Sequence, residues 1–160
     1  MGARGTFSGG IHPYDGKDLS KDKPIQDVLP KGEMVYPMSQ HIGAPCKPLV
    51  QKGDYVKVGQ LIGDTDAFVS APIHSSVSGT VKKIADELIS SGARVPAITI
   101  ESDGAMTKDP AIAAPVVNSK EDFIEAVKKS GIVGLGGAGF PTYVKFLTDK
   151  PVDTLVINGA

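Results

Sequence analysis

The sequence predicts a mostly β fold that gives way, toward residue 160, to the start of an α/β unit. Three observations carry this prediction. Gly 19 and Pro 12 among 160 residues, with no tryptophan, favour turn-rich β structure over a helical bundle. Between residues 31 and 102, short apolar runs alternate with glycine-containing turn signals. From Ser119 onward the apolar spacing changes to a helical period.

Residues 1–30 read as an extended arm. Gly, Pro, Asp and Lys dominate it and apolar periodicity is absent, although Ile11, Tyr14, Leu19, Ile25 and Val28 offer scattered anchors for a neighbouring surface. Residues 31–102 follow as the β domain, with strands expected at Glu33–Pro37, Pro48–Val50, Tyr55–Val58, Leu61–Gly63, Phe68–Ser70, Ser76–Ile84 and Val95–Glu101. The turns between them carry Lys31-Gly32, Lys52-Gly53-Asp54, Val58-Gly59-Gln60 and Ser91-Gly92. Val81 and Ile84 bracket two lysines, the pattern of a half-exposed strand edge near a bulge or turn. An echo, A-P-x-x-x-x-V, occurs at Ala44–Val50 and again at Ala71–Val77, as two interlocking halves of a small β-sandwich would leave it.

Residues 103–118, with Asp109-Pro110 and Ala114-Pro115, read as a linker to a segment at 119–160. Ser119 and Asp122 form a capping box, Phe123, Ile124, Ala126 and Val127 an apolar stripe, and Lys128 and Lys129 complement the dipole before Gly131 stops the helix. Pro141 suits the first turn of a second helix running to about Thr148. Val152–Ile157 is then a strand candidate, ending at the Asn158-Gly159 turn.

Net charge is -1 with the two signs interspersed, so no electrostatic case for nucleic acid exists. A lone cysteine, Cys46, excludes an internal disulfide and an iron–sulfur cluster held by this chain alone; its expected role is that of a small buried hydrophobe. His12, His41 and His74 lack metal-ligand spacing, and structural or surface roles are expected for them. The opening residues lack the apolar core of a signal peptide and no run approaches a membrane span, which reads as cytoplasmic.

The richest stretch is Gly131–Thr142, G-I-V-G-L-G-G-A-G-F-P-T. Gly134, Gly136, Gly137 and Gly139 let backbone N–H groups lie against a flat or anionic ligand. The spacing G-x-G-x-x-G occurs through Gly134, Gly136 and Gly139. A helix rather than a strand precedes it, and Asp153 stands at the start of the next strand candidate, so the Rossmann reading fails. No Gly-Lys-Ser/Thr follows, so a Walker A loop fails too. A tight helix-to-helix turn without ligand is the plain alternative.

The residues G-x-G-G-A-G-F-P-T-x-x-K, Gly134 to Lys145, resemble the flavin- and NADH-binding loop of the complex I flavoprotein subunit and its relatives, above all the RnfC family of the Rnf electron-transport complex. G-G-I-H-P at Gly9–Pro13 resembles that family's opening arm, and Val156–Ala160 the strand that reaches the flavin. The resemblance implies an α/β domain binding FMN and NAD(H), in which NADH gives a hydride to FMN, chemistry that needs geometry and field rather than an acid, base or nucleophile. It implies that Gly134, Gly136, Gly137 and Gly139 line the cofactors, that Phe140 supports the loop or stacks, that Thr142 and Lys145 meet the FMN phosphate and that Asn158 contacts the flavin. Taken alone, these are a packed Phe, a helix-capping Thr, a surface lysine and a turn Asn. The family's acidic and cysteine-bearing continuation and its two motifs for [4Fe–4S] clusters are absent. The expectation is therefore the first third to half of a longer protein, one that sits at the inner face of the cell membrane through other Rnf subunits and reaches ferredoxin indirectly.

Lys52–Gly63 and Ala71–Val81 resemble biotinyl/lipoyl domains, implying a barrel-sandwich hybrid at 31–102. The position of the modified lysine falls at Ala67, in Asp64-Thr65-Asp66-Ala67-Phe68, so a docking or scaffold role is expected rather than a swinging arm. Two other readings stay open: a cobalamin reductase-type flavoprotein, and a non-catalytic docking module.

Overall fold

Seven strands, all between residues 33 and 102, make up the β structure in the computed structural model, which describes residues 13–154 and 156. They are β1 (Glu33–Pro37), β2 (Lys47–Pro48), β3 (Tyr55–Val56), β4 (Leu61–Asp64), β5 (Ile73–His74), β6 (Gly79–Leu88) and β7 (Arg94–Ser102). One antiparallel sheet has the order β1-β7-β6-β3 and a second the order β2-β4-β5. β7 is a central strand of the larger sheet, and its run Ala97-Ile98-Thr99-Ile100 is buried throughout. Ile98 and Ile100 meet Tyr36, Met38, Cys46, Val50, Val56, Ile62, Ile73, Val77 and Val81 in one core between the sheets. Each such aliphatic side chain contributes about 1.5–3 kcal/mol on burial.

The repeated A-P-x-x-x-x-V has a structural counterpart. Both copies run into a two-residue strand, β2 and β5, and these flank β4 on either side. The third residues of the copies, Cys46 and Ile73, and the last, Val50 and Val77, all enter the core. Two short segments thus close the same strand from opposite edges with the same burial pattern. β5 is too short to show a period in sequence, and β6 starts three residues later than expected. The bulge foreseen near the paired lysines lies between Val81 and Lys83. Beyond it β6 pairs with β7 alone, and its side chains turn outward.

Four expectations are corrected. Phe68–Ser70 is not a strand: the Val69 carbonyl accepts the Ala44 N–H at 3.0 Å and the Ser70 hydroxyl donates to the Ala67 carbonyl at 2.7 Å, so these groups serve loop contacts rather than a ladder. The segment after Ser102 is not free linker at its start. Asp103 accepts the Ser78 and Tyr55 hydroxyls, each at 2.7 Å, and Thr107 and Asp109 exchange backbone bonds with Val58. The second helix is a 3-10 helix, Thr142–Phe146, shorter than expected. Val152, Asp153, Thr154 and Val156 form no strand; Leu155, Ile157 and the Asn158-Gly159 turn lie outside the described residues, as do Ile11, His12 and the Gly9–His12 part of the arm motif. The described part of the arm, 13–30, holds one 3-10 turn at Lys17–Leu19 and is almost wholly exposed.

α1 (Lys120–Lys129) forms as expected. The Ser119 hydroxyl accepts the Asp122 N–H at 3.0 Å, and the Asp122 carboxylate accepts the N–H of Asn118 at 3.0 Å. That N–H, with the Ser119 hydroxyl, holds the Asp122 carboxyl below the usual carboxylate range. Gly131, at φ 66, ends the helix in the left-handed region.

Candidate functional site

The glycine run leaves α1 and folds into a closed loop. Its neck is an antiparallel bridge between Val133 and Pro141, held by Gly134 N–H to Phe140 O at 3.0 Å and Thr142 N–H to Ile132 O at 2.9 Å. Leu135–Ala138 make the turn at the tip, where Leu135 is 94% exposed. Pro141 then starts the 3-10 helix. Its missing N–H costs nothing there.

The four glycines divide into two kinds. Gly139 is required by the fold: its φ is 67, and a Cβ would stand 3.1 Å from the Gln40 carbonyl oxygen and 3.2 Å from His41 Cα. Its own carbonyl accepts the Ile42 N–H at 3.4 Å, which joins the loop to the segment after β1. Gly136 and Gly137 are different. Neither has a left-handed φ, and a Cβ on either would meet nothing within 4 Å. Gly134 likewise has no left-handed φ, and its would-be Cβ makes only ordinary contacts, with Lys145 Nζ and Phe140 O at 3.8 Å.

Thr142 and Lys145 lie three residues apart on the 3-10 helix, where i and i+3 eclipse. They therefore share one face, and Lys145 Nζ reaches back over Gly134. Thr142 is not a cap: it lies inside the helix, Pro141 occupies the cap position, and the Thr142 hydroxyl has no hydrogen bond among the described residues. Lys145 is exposed and makes neither an ion pair nor a side-chain hydrogen bond among the described residues. Its neighbours are engaged: Lys120 with the Thr148 carbonyl, Lys128 over the Tyr143 ring and Lys129 with Glu125 at 3.3 Å. Phe140 is half-buried and contributes its carbonyl to the neck. The structure thus brings Gly134, Phe140, Thr142 and Lys145 together and sets Gly136 and Gly137 at the open tip. Asn158 lies outside the described residues.

Sequence reasoning missed Tyr143. It is 4% exposed, its hydroxyl donates to the Phe68 carbonyl, and Lys128 Nζ lies 5.5 Å from its ring centroid. The available signal was the Tyr143/Phe146 pair at i, i+3, an inward face opposite Thr142/Lys145; Phe146 meets the Phe123 ring edge-on at 5.0 Å.

The remaining polar groups are structural. His41 Nε2 accepts the Ala71 N–H at 3.1 Å, and Nδ1 stands 3.1 Å from the Ile42 carbonyl, which fixes the tautomer. Cys46 is buried and donates to the Ala71 carbonyl at 3.2 Å; burial, with Asp64 nearby, pushes its thiol up to about 11, so it is no nucleophile. Burial lowers the His74 imidazole, against an opposing pull from Asp64. Among the described residues no group of three potential metal ligands occurs, and no helix is long and apolar enough to cross a membrane. The largest hollow, about 780 Å³, lies away from the loop, between Leu61, His74, Ile112–Val116 and the Asp122–Ser130 side of α1. It is apolar and widely open, and the loop chemistry does not face it.

Comparison with known proteins places both parts of the chain. The family model for the RnfC barrel sandwich hybrid domain matches residues 5–105, and that for the Nuo51 FMN-binding domain matches residues 127–160. The RnfC-type component of the Na(+)-translocating ferredoxin:NAD(+) oxidoreductase complex of Acetobacterium woodii is 47% identical over 98% of this chain and 36% of its own length. Its counterpart in the proton-translocating ferredoxin:NAD(+) oxidoreductase complex of Clostridium ljungdahlii is 42% identical over 97% of this chain and 35% of its own. The counterpart in the ion-translocating oxidoreductase complex of Pseudomonas aeruginosa is 39% identical over 100% of this chain and 21% of its own. The chain thus spans roughly a third or less of the relatives it matches. With more than half of its length matched to the barrel model, this chain belongs to the RnfC family, as that family's barrel sandwich hybrid domain followed by the start of a Nuo51-type FMN-binding domain.

Proposed function

We propose that the chain is the flavin-loop end of an electron-input subunit in an ion-translocating ferredoxin:NAD oxidoreductase, working with the other subunits of an Rnf complex at the inner face of the membrane. It divides into an arm at 1–30, the barrel at 31–102, a connection at 103–118 and the beginning of the flavin domain at 119–160. One observation carries the reading: Gly136 and Gly137 are glycines without need from the fold, with no left-handed φ and no neighbour within 4 Å of a Cβ. A surface pressed close against the tip supplies the need, and a flat ring system fits it.

FMN, when bound, supplies a hydride acceptor for NADH. The chain's part is to hold and orient. Gly134, Gly136, Gly137 and Gly139 give the backbone a smooth face, Phe140 supports the neck, and Asn158 contacts the flavin. Lys145 and Thr142, on one face of a short helix and without partners among the described residues, hold the phosphate. NAD(H) shares the glycine face, and [4Fe–4S] clusters belong to sequence outside this chain. Ala67 has no amine to acylate, so the barrel serves as scaffold rather than carrier.

The test is titration of the purified chain with FMN, followed by flavin fluorescence. Saturable binding is expected, weakened about tenfold or more by Lys145→Glu, since a charge-assisted phosphate contact is lost. Equal affinity in the two proteins contradicts the reading.

A further inference from the structure

We infer that Tyr143 is the positioning residue of the phosphate pair, latching the 3-10 helix to the barrel so that Thr142 and Lys145 face the glycine loop; the inference rests on the flavin reading above. The helix has only five residues and cannot hold its own orientation. Its two faces have separate tasks. Thr142 and Lys145 make one; Tyr143 and Phe146 make the other, a third of a turn away. On that second face Phe146 packs on Phe123 of α1, while Tyr143 reaches across to the barrel.

Among the described residues, the Tyr143 hydroxyl to the Phe68 carbonyl is the one side-chain hydrogen bond from residues 131–148 to residues 33–102. The accompanying backbone bond, Ile42 N–H to Gly139 O, is long at 3.4 Å. The ring of Tyr143 is buried and stays buried without its hydroxyl, with Lys128 Nζ 5.5 Å away. Removing the hydroxyl therefore spares the packing and frees the rotation of the helix. The position of the acceptor matters too. Phe68 closes the Asp64–Phe68 stretch, so the barrel corner that lacks a modifiable lysine at Ala67 serves here as an anchor.

The experiment compares FMN with riboflavin, which lacks the phosphate, on the purified chain and its Tyr143→Phe variant. It also follows amide exchange at Gly134 and Thr142, the two neck donors. The wild-type chain is expected to prefer FMN. The variant should lose that preference by about fivefold, the scale of one net hydrogen bond, with riboflavin affinity little changed and neck exchange accelerated. A merely structural role would weaken both flavins alike, and that result overturns the inference. An unchanged FMN preference with unchanged exchange overturns it too, leaving the flavin reading intact. Binding of neither flavin by the wild-type chain overturns both.

Discussion

Residue by residue, the glycine run is not one feature but two. Gly139 is glycine for the fold, held at φ 67 against Gln40 and His41. Gly139→Ala should lower stability by about 1–2 kcal/mol, the cost of a left-handed non-glycine residue, to which the close Gln40 carbonyl adds. A shift of the urea midpoint to lower concentration checks this; an unmoved midpoint contradicts it. Lys145 was legible only through its neighbours, because a lysine four residues past a proline has no distinguishing mark of its own. Thr142 was misjudged for a physical reason: Pro141 takes the cap position, which moves Thr142 one place inward and leaves its hydroxyl without a local partner. Cys46 and the described histidines were read correctly from the absence of any motif around them, and burial and hydrogen bonding account for them.

At the scale of elements, the strands with β-branched cores were legible to within a residue or two. β1, β4 and β7 carry enough alternating or continuous apolar residues to declare themselves. β2 and β5 do not, since two residues have no period; only the repeated Ala-Pro segment hinted that they were equivalent. Phe68–Ser70 looked like a strand because its residues are apolar, yet its backbone is bound to Ala44 and to the Tyr143 hydroxyl from distant parts of the chain. α1 was fully legible because its signals are local. Its residues are at most half-buried, so its stability depends heavily on the Ser119 cap. Ser119→Ala should cost about 1 kcal/mol and speed amide exchange in the first turn of α1 about fivefold, with the barrel unaffected. First-turn exchange at the wild-type rate would show that packing on Phe146, not capping, holds this helix.

For the whole molecule, the barrel and the glycine loop meet through backbone and through Tyr143, and the family comparisons place a domain on each side of that junction. The junction was not legible in the sequence. It joins Gln40, His41 and Phe68 to residues about seventy to a hundred positions away, and each partner reads alone as an ordinary loop residue. Gly136 and Gly137 are the crux, as glycines that exist for a ligand and not for the fold. The double variant Gly136→Ala, Gly137→Ala tests this most directly, with melting temperature and FMN affinity measured on the same sample. The fold has room for both methyl groups, and two fewer glycines stiffen the unfolded chain, so the melting temperature should hold or rise. FMN affinity should fall about tenfold or more, because two methyl groups intrude where the ring must rest. Undiminished FMN affinity, or loss of the fold itself, would contradict a ligand-driven origin for these two glycines.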